Sequence, residues 1–360
     1  MNVYVLDQSK SFVGICDDYK SIIWTTRYFT PGDFELYLPA TTKNLALLRE
    51  DYYCVRDQDI CETDGKKVFK NVMIIEKIQI TTSLEDGNYL IVSGRCLKSL
   101  LARRIVWSQT NLNGNLEKNL RNVVSVNGGQ NSSPYVRVIP GLMLGDEKGF
   151  TETIVKQVTG ANVAEFLAEV CKTYGIGWDI YIKGALFYFE LYKGLDRSYN
   201  QTDLPYVVFS PEFDNLLATD YQFDKTNYKN VALVGGEGEG TARKMVTVGT
   251  AGNLDRYEIF VDSRNSSSND GEISDDEYTT MLEEEGNEAL SESDNSINES
   301  ISGEVEPSTN YTLGVDYFLG DIVEVINEYG IEAAPRIIEI IESEDDTGSY
   351  TIPTFSTEEG

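Results

Sequence analysis

The segment Trp24-Thr25-Thr26-Arg27-Tyr28-Phe29-Thr30-Pro31-Gly32-Asp33-Phe34-Glu35-Leu36-Tyr37-Leu38-Pro39 leaves its backbone few choices, and it dictates a hairpin. In Thr30-Pro31-Gly32-Asp33, proline presets φ to about −65° and glycine supplies the positive φ of a type II turn. Phe34, Leu36 and Leu38 then share one strand face, while Glu35 and Tyr37 share the other. Pro39 has no N–H for a ladder and ends the strand. Arg27, between Trp24 and the turn, is placed to pair with Asp33 or Glu35 or to stack on a ring. Its ordinary role is to order the β-structure.

The rest of the chain is compatible with such strands. Of its 360 residues, 22 are Tyr and 14 Phe against 3 Trp, a balance that favours sheets and wet interfaces over helical bundles. The length allows on the order of two to four structural units. No apolar run approaches the roughly 18 residues of a membrane span, and no basic region followed by an apolar one marks the N-terminus as a secretory signal. Cys16, Cys54, Cys61, Cys96 and Cys171 are odd in number and lack Cys-x-x-Cys spacing. They read as small buried apolar residues with free thiols, not as a disulfide framework or zinc site.

Two further features exclude whole classes of function. Histidine is absent, which removes Ser-His-Asp and Cys-His catalysis and every His-ligated zinc site. Carboxylate-only chemistry, as in a glycoside hydrolase, is the main enzymatic option left. The formal net charge is −29, and the stretch between Arg264 and Arg336 contains 19 Asp and Glu with no Lys or Arg. A chain so acidic cannot displace counterions from a nucleic-acid backbone.

Read along its length, the fold class is β-rich α+β. Residues 1–100 give strands at Asn2–Leu6, Phe12–Cys16, Ser21–Tyr28, Phe34–Leu38, Tyr52–Arg56, Val68–Ile80 and Tyr89–Val92, with a short helix near Thr42–Leu48 and a turn at Glu85-Asp86-Gly87-Asn88. They form a small barrel or sandwich. Residues 101–204 form an α+β unit, with helices over Asn115–Val124 and Asn162–Tyr174 and a hairpin over Gly177–Lys193 turning at Lys183-Gly184. Strands return over 205–265 and 307–356, at Tyr206–Phe209, Leu216–Phe223, Asn230–Val234, Lys244–Gly249, Arg256–Val261, Asp321–Asn327, Ala334–Ile341 and Tyr350–Ile352. The acidic insertion 266–306 reads as a solvated helix capped by Ser274, extended weakly by Ile297 and Ile301, or as a flexible linker.

Apparent motifs inside these units dissolve on inspection. Gly235-Gly236-Glu237-Gly238-Glu239-Gly240 has neither phosphate-loop spacing nor a following helix, and its glutamates repel phosphate; it reads as a hairpin loop. Asn269-Asp270-Gly271-Glu272-Ile273-Ser274-Asp275-Asp276-Glu277 lacks the alternating ligands and terminal Glu of an EF-hand, and reads as solvated acidic surface.

The order Trp24, Arg27, Gly32-Asp33-Phe34-Glu35-Leu36, Leu38-Pro39 near the N-terminus resembles the baseplate hub, or tail-associated, proteins of phage tails, including siphovirus Gp37-like tail proteins, and the hubs of related contractile particles. Val231-Ala232-Leu233-Val234-Gly235-Gly236, Arg243, the acidic insertion, Tyr317-Phe318-Leu319-Gly320-Asp321-Ile322-Val323-Glu324-Val325 and Arg336-Ile337-Ile338-Glu339-Ile340 extend the likeness over nearly the whole chain. The resemblance implies two similar tube-type β-barrel units, an intervening α+β unit and an acidic helical insertion in the second barrel. It singles out Trp24, Arg27, Gly32, Asp33, Phe34, Glu35, Tyr37, Gly320, Asp321 and Arg336 as structural or interface positions, with Glu35 and Tyr37 facing a tube or channel. It implies no catalytic, cofactor-binding or metal-binding residue.

The same resemblance implies a homotrimer whose six barrels mate with a sixfold tail tube and lead to a threefold tip. Its partners are further copies of itself, tail-tube or distal tail proteins, and tip, fibre or other baseplate proteins. DNA passes along the axis without specific binding and no membrane is entered. The location is the virion, at the tail tip or baseplate, after assembly in the host bacterial cytoplasm. The chain stops at Gly360, so the C-terminal hydrolase or receptor-binding extension of many relatives is expected to be absent. Two alternatives remain: a carboxylate-dependent cell-wall glycosidase, and a carbohydrate-binding tail adhesin stacking sugars on Trp107, Trp178 and Tyr181.

Overall fold

A computed structural model describes residues 1–83, 87–268, 273–292, 295–305 and 311–356, with 298–305 as backbone alone. The hairpin forms, but not through a tight turn at residues 30–33: the last cross-strand pair is Thr25 with Asp33, so residues 26–32 make a longer connection. Ser21–Arg27 pairs antiparallel with Asp33–Pro39, setting Trp24 opposite Phe34 and Ile22 opposite Leu36. Directly opposed residues share a face, and all four of these side chains are buried together with Leu38. Glu35 is exposed and Tyr37 half-buried on the reverse face.

This hairpin is the centre of an eleven-stranded sheet. On one side, Asp33–Pro39 is followed by Gly87–Cys96, Met73–Ser83, Tyr53–Arg56, Val3–Leu6 and Phe12–Cys16. On the other, Ser21–Arg27 pairs with Arg336–Asp345, bringing Arg27 opposite Glu339 and Trp24 opposite Glu342. Gly348–Ser356, Asn298–Val305 and Leu216–Asp224 complete that side. Strands from both ends of the sequence therefore lie in one continuous sheet with an open strand order. The N-terminal strands curl, because Val3 and Val5 share a core with Leu36 and Leu38 across the sheet.

The middle of the chain covers the back of that curl. Its sheet runs Leu142–Leu144, Leu186–Tyr192, Gly177–Lys183, Lys66–Phe69, Ile60–Thr63. Helices Leu116–Asn127 and Val163–Thr173 supply the rest of its core. Asn115 and Asn162 cap them, each accepting from backbone N–H groups of the first turn, which satisfies donors that have no partner within a helix. Tyr53–Arg56 is buried along its whole length, since Cys54 faces the N-terminal core while Tyr53 and Val55 face the middle.

Residues 231–292 form a smaller layer. Val231–Gly235 lies between Met245–Val248 and Glu258–Asp262, and helix Asp275–Ser291 lays Tyr278, Met281 and Leu282 on Ala232, Val234 and Val246. Ser274 and Glu277 form a reciprocal capping box, as the serine and the acidic first turn predict. The Gly235–Gly240 stretch is a hairpin connection, with Gly235 paired to Met245. Residues 269–272 of the acidic run lie outside the described residues, as do Glu85 and Asp86 of the expected turn.

Several expectations need correction. Val68–Ile80 is not one strand: it breaks at Asn71, whose φ is 47°, and Lys66–Phe69 and Met73–Ser83 enter different sheets. Asn298–Val305 is a strand, not a weak continuation of the acidic helix, because it is sandwiched between Leu216–Asp224 and Gly348–Ser356. Gly32 does not take the positive φ of a type II turn. Glycine is needed there for close approach: a Cβ would stand 2.1 Å from the Thr25 carbonyl oxygen. Asp321–Asn327 contracts to Glu324–Ile326. Cys61 is exposed, whereas Cys16, Cys54, Cys96 and Cys171 are buried, all with free thiols.

Candidate functional site

Apart from Gly32, already placed against the Thr25 carbonyl, the singled-out residues separate into three groups. Trp24 and Phe34 are core, with ring centroids 5.4 Å apart. Glu35 and Tyr37 look outward, Tyr37 against Tyr89 with centroids 5.1 Å apart. Arg27, Asp33, Gly320, Asp321 and Arg336 come together at a seam between the N-terminal strands, the middle of the chain and the C-terminal strands.

Tyr28, just beyond strand Ser21–Arg27, is the centre of the seam and wholly buried. Its N–H donates to the Ile338 carbonyl at 2.8 Å. Its hydroxyl lies 3.2 Å from the Gly175 carbonyl and 3.3 Å from that of Tyr192, and accepts from the Gly194 N–H at 3.2 Å. The ring is gripped between Gly177 and Gly320, where a Cβ would come within 2.3 and 2.2 Å of Cε2. Arg336 spans the same place, its guanidinium 5.6 Å from the ring centroid and donating to the Gly320 carbonyl at 2.7 Å.

Charged groups tie down the surroundings. Arg27 donates to Asp33 and Glu339, each at 2.5 Å, and to the Pro31 carbonyl at 3.0 Å. It pairs with the first of its two expected acidic partners and not with Glu35. Asp321 is buried and accepts from the Leu195 N–H at 2.7 Å, Arg197 Nε at 2.8 Å and the Phe318 N–H at 3.0 Å. Deeper in the sheet, buried Arg56 binds Asp59 at 2.6 Å and Glu342 at 2.5 Å, joining the N-terminal strands to Arg336–Asp345 a second time.

Lys98 closes the seam from within. Its ammonium donates to the carbonyls of Arg27 at 2.6 Å and Tyr28 at 3.1 Å, and lies 5.1 Å from the Trp178 ring centroid. Trp178 in turn donates to the Phe29 carbonyl at 2.5 Å. Burial lowers the Lys98 pKa, and burial raises that of Asp179 to about 6 against the pull of Lys98. A cavity of about 20 Å³ lies between them, bounded by Arg27, Asn71, Cys96, Lys98, Asp179 and Tyr192. That is room for one water, far below the volume of a sugar or peptide.

Chemically the seam is a joint. Its cations and carboxylates are engaged by one another or by backbone groups. Among the described residues no group of three His, Cys, Asp or Glu is placed to hold a metal, and no helix is long and apolar enough to cross a membrane. Of the three stacking platforms considered, Trp178 is fully buried and Tyr181 is stacked on Tyr188 with centroids 5.6 Å apart; Trp107 alone of these three stands exposed. Tyr28, Lys98, Glu339 and Glu342 belong to the seam and were not singled out. Their seam partners on the N-terminal strands and the middle of the chain lie more than 60 residues away in sequence, so no local pattern marks them.

The fold has counterparts among solved structures. The tail protein from Neisseria meningitidis MC58 superposes with a TM-score of 0.58 at 13% identity, covering 99% of this chain and 97% of that one. The 43 kDa tail protein of prophage MuSo2 from Shewanella oneidensis gives 0.58 at 14% identity, covering 99% and 98%. Prophage tail protein gp18 from Listeria monocytogenes EGD-e gives 0.56 at 12% identity, covering 100% and 96%. At such identities the likeness is one of fold. No curated protein matches the chain by sequence. Residues 2–355, which contain the whole seam and every strand of the large sheet up to its last residue, match the family described as Siphovirus ReqiPepy6 Gp37-like protein, and the chain belongs to that phage tail protein family.

Proposed function

We propose that this tail protein is a non-enzymatic structural hub at the tail tip or baseplate, three copies of which form a ring around a central channel. The observation that carries this reading is the eleven-stranded sheet. It holds the N-terminal and C-terminal strands side by side in one chain and leaves Phe12–Cys16 and Leu216–Asp224 as its outer strands. Phe12 and Val13 on one edge, and Leu217 and Phe223 on the other, are apolar and exposed. Open edges with apolar residues invite pairing with another chain, and a contact between unlike edges is heterologous, which closes into a ring when the rotation between copies is one third of a turn and runs on as a filament when it does not close.

In this reading residues 1–100, and 205–265 with 307–356, are two equivalent tube-type barrel units completed by neighbouring copies. Three chains then present six units to a sixfold tube and continue as a threefold tip. The α+β unit 101–204 and the helical part of the insertion, Asp275–Ser291, stand outside, toward fibre or other baseplate proteins, while Asn298–Val305 belongs to the sheet itself. An excess of carboxylates around the channel repels passing DNA instead of holding it. Arg27, Gly320, Asp321 and Arg336 keep the two units in fixed relation, and Glu35 and Tyr37 face tube or channel.

The test is the mass of the purified protein by light scattering, alone and mixed with the tail-tube protein of the same particle. A trimer in either condition supports the ring. A monomer in both, at high concentration, would sink it.

A further inference from the structure

Away from the seam, one surface gathers aromatic, aliphatic and cationic side chains that the chain itself leaves uncovered. Trp107 is 57% exposed, Tyr135 78%, Val136 86% and Ile105 41%. The Arg137 guanidinium lies 4.9 Å from the Trp107 ring centroid and donates to the Ile105 carbonyl at 2.6 Å. Arg104 donates to the Arg137 carbonyl at 2.6 Å and to that of Arg103 at 2.9 Å. Among the described residues neither Arg104 nor Arg137 has a carboxylate within 4.0 Å; their partners are carbonyl oxygens and the Asn127 side chain. Burial, with Arg103 close by, lowers the Arg104 pKa, and burial with Arg104 does the same to Arg137. Unneutralised arginines are out of character in a chain of net charge −29.

The composition of this surface identifies the kind of partner. Trp, Tyr and Arg dominate the energetics of protein interfaces, and exposed Val136 and Ile105 need apolar cover that a bare sugar does not give. The partner is therefore a protein surface rich in carboxylates. This chain carries one. Helix Val163–Thr173 begins beside Arg104, whose carbonyl accepts from the Val163 N–H at 3.0 Å. About 16 Å along, given 1.5 Å per residue, its other end meets helix Asp275–Ser291. There Glu169 faces Glu288, with Glu284 adjacent. Lys156 pairs with Glu288, which lies in the last turn of helix Asp275–Ser291, at the negative end of its dipole, where the helix itself has no basic residue. Burial and the neighbouring Glu288 raise the pKa of both Glu169 and Glu284. The two surfaces are too far apart on one chain to neutralise each other.

We propose that Arg104, Trp107, Tyr135 and Arg137 of one copy dock on the surface formed by Glu169, Glu284 and Glu288 of the next copy. The contact joins unlike surfaces, so it is head-to-tail and runs around the outside of the ring. It rests on the ring reading above and adds a second, electrostatic seam to the sheet edges.

Sedimentation velocity of the full chain, alone and with its tail-tube neighbour, tests it. The double variant Arg104→Glu/Arg137→Glu is expected to weaken self-association at least tenfold, as is Glu169→Lys/Glu284→Lys, while a mixture of the two regains pairwise association through the exchanged charges, two of the three contacts of a ring being restored. Because Arg104 and Arg137 also hold local carbonyls, Trp107→Ala serves as a further variant and is expected to weaken association without changing the melting temperature. Association of both the Arg104→Glu/Arg137→Glu variant and Trp107→Ala at wild-type strength overturns this contact and leaves the ring standing. A wild-type protein that is monomeric in both conditions overturns the ring, and this contact with it.

Discussion

The ring of Tyr28 faces Gly320 so closely that a β-carbon on Gly320 would stand 2.2 Å from Cε2. The two residues are almost the whole chain apart in sequence, and their contact locks the C-terminal strands onto the N-terminal hairpin. Gly320→Ala must displace a buried ring and also adopt a φ of 97°. Gly314, with a φ of 83°, meets nothing within 4 Å. Overpacking added to backbone strain should make Gly320→Ala cost about 3 kcal/mol or more, against about 1 kcal/mol for Gly314→Ala. Urea denaturation of the two variants measures the difference; equal costs would remove Tyr28 as the cause.

Arg56 is buried between Asp59 and Glu342. Arg56→Met removes the cation and leaves two nearly buried carboxylates facing each other, which should cost about 3–5 kcal/mol. The exposed pair Lys43–Asp17 at 3.2 Å offers a control: Lys43→Ala should leave the unfolding midpoint unchanged, since solvent screens such pairs. The idea is wrong if both variants unfold at the same denaturant concentration.

The Asp179 carboxyl is raised by burial from the usual 3.8 to about 6. The folded protein thus binds this proton more tightly than the unfolded chain does. Stability from this group is complete below pH 4 and falls as pH rises from about 4 to 6, by on the order of 1–3 kcal/mol. Asp179→Asn should abolish that fall, so the wild-type minus variant difference in unfolding free energy should become more negative from pH 4 to 6. Parallel pH profiles for the two proteins would refute the assignment.

Cys61 should react with a thiol reagent in the native protein, whereas the remaining four wait for unfolding. Burial raises Cys16 and Cys171 to about 12 and Cys54 higher still, which suppresses the reactive thiolate. Counting thiols modified before and after adding denaturant checks this, and more than one fast thiol would contradict it.

Local chemistry carried much of this fold. The alternation in Phe34, Leu36 and Leu38, the stop at Pro39, and the caps Asn162 and Ser274 each act over a few residues, and each is where its side-chain type requires. The middle hairpin turns one residue later than expected, at Gly184-Ala185, with Lys183 paired to Leu186. The strand Asn298–Val305 lay beyond such reasoning. Its sequence has no strong alternation, and it is extended because two strands distant in sequence flank it. Gly32 shows a subtler limit, since the residue type was right and the reason was a neighbouring carbonyl, not a torsion.

By itself the sequence determined a β-rich chain with no histidine chemistry, a large carboxylate excess and a tail-protein family. Those properties follow from residue types, short-range periodicity and motif order. Only the tertiary structure decided that the two ends of the chain share one sheet, that Tyr28, Lys98 and Arg336 form the joint, and that Arg104 and Arg137 meet no carboxylate among the described residues. Such facts depend on which strands pair over hundreds of residues and on what each buried or exposed charge then meets, and neither is encoded in any local pattern.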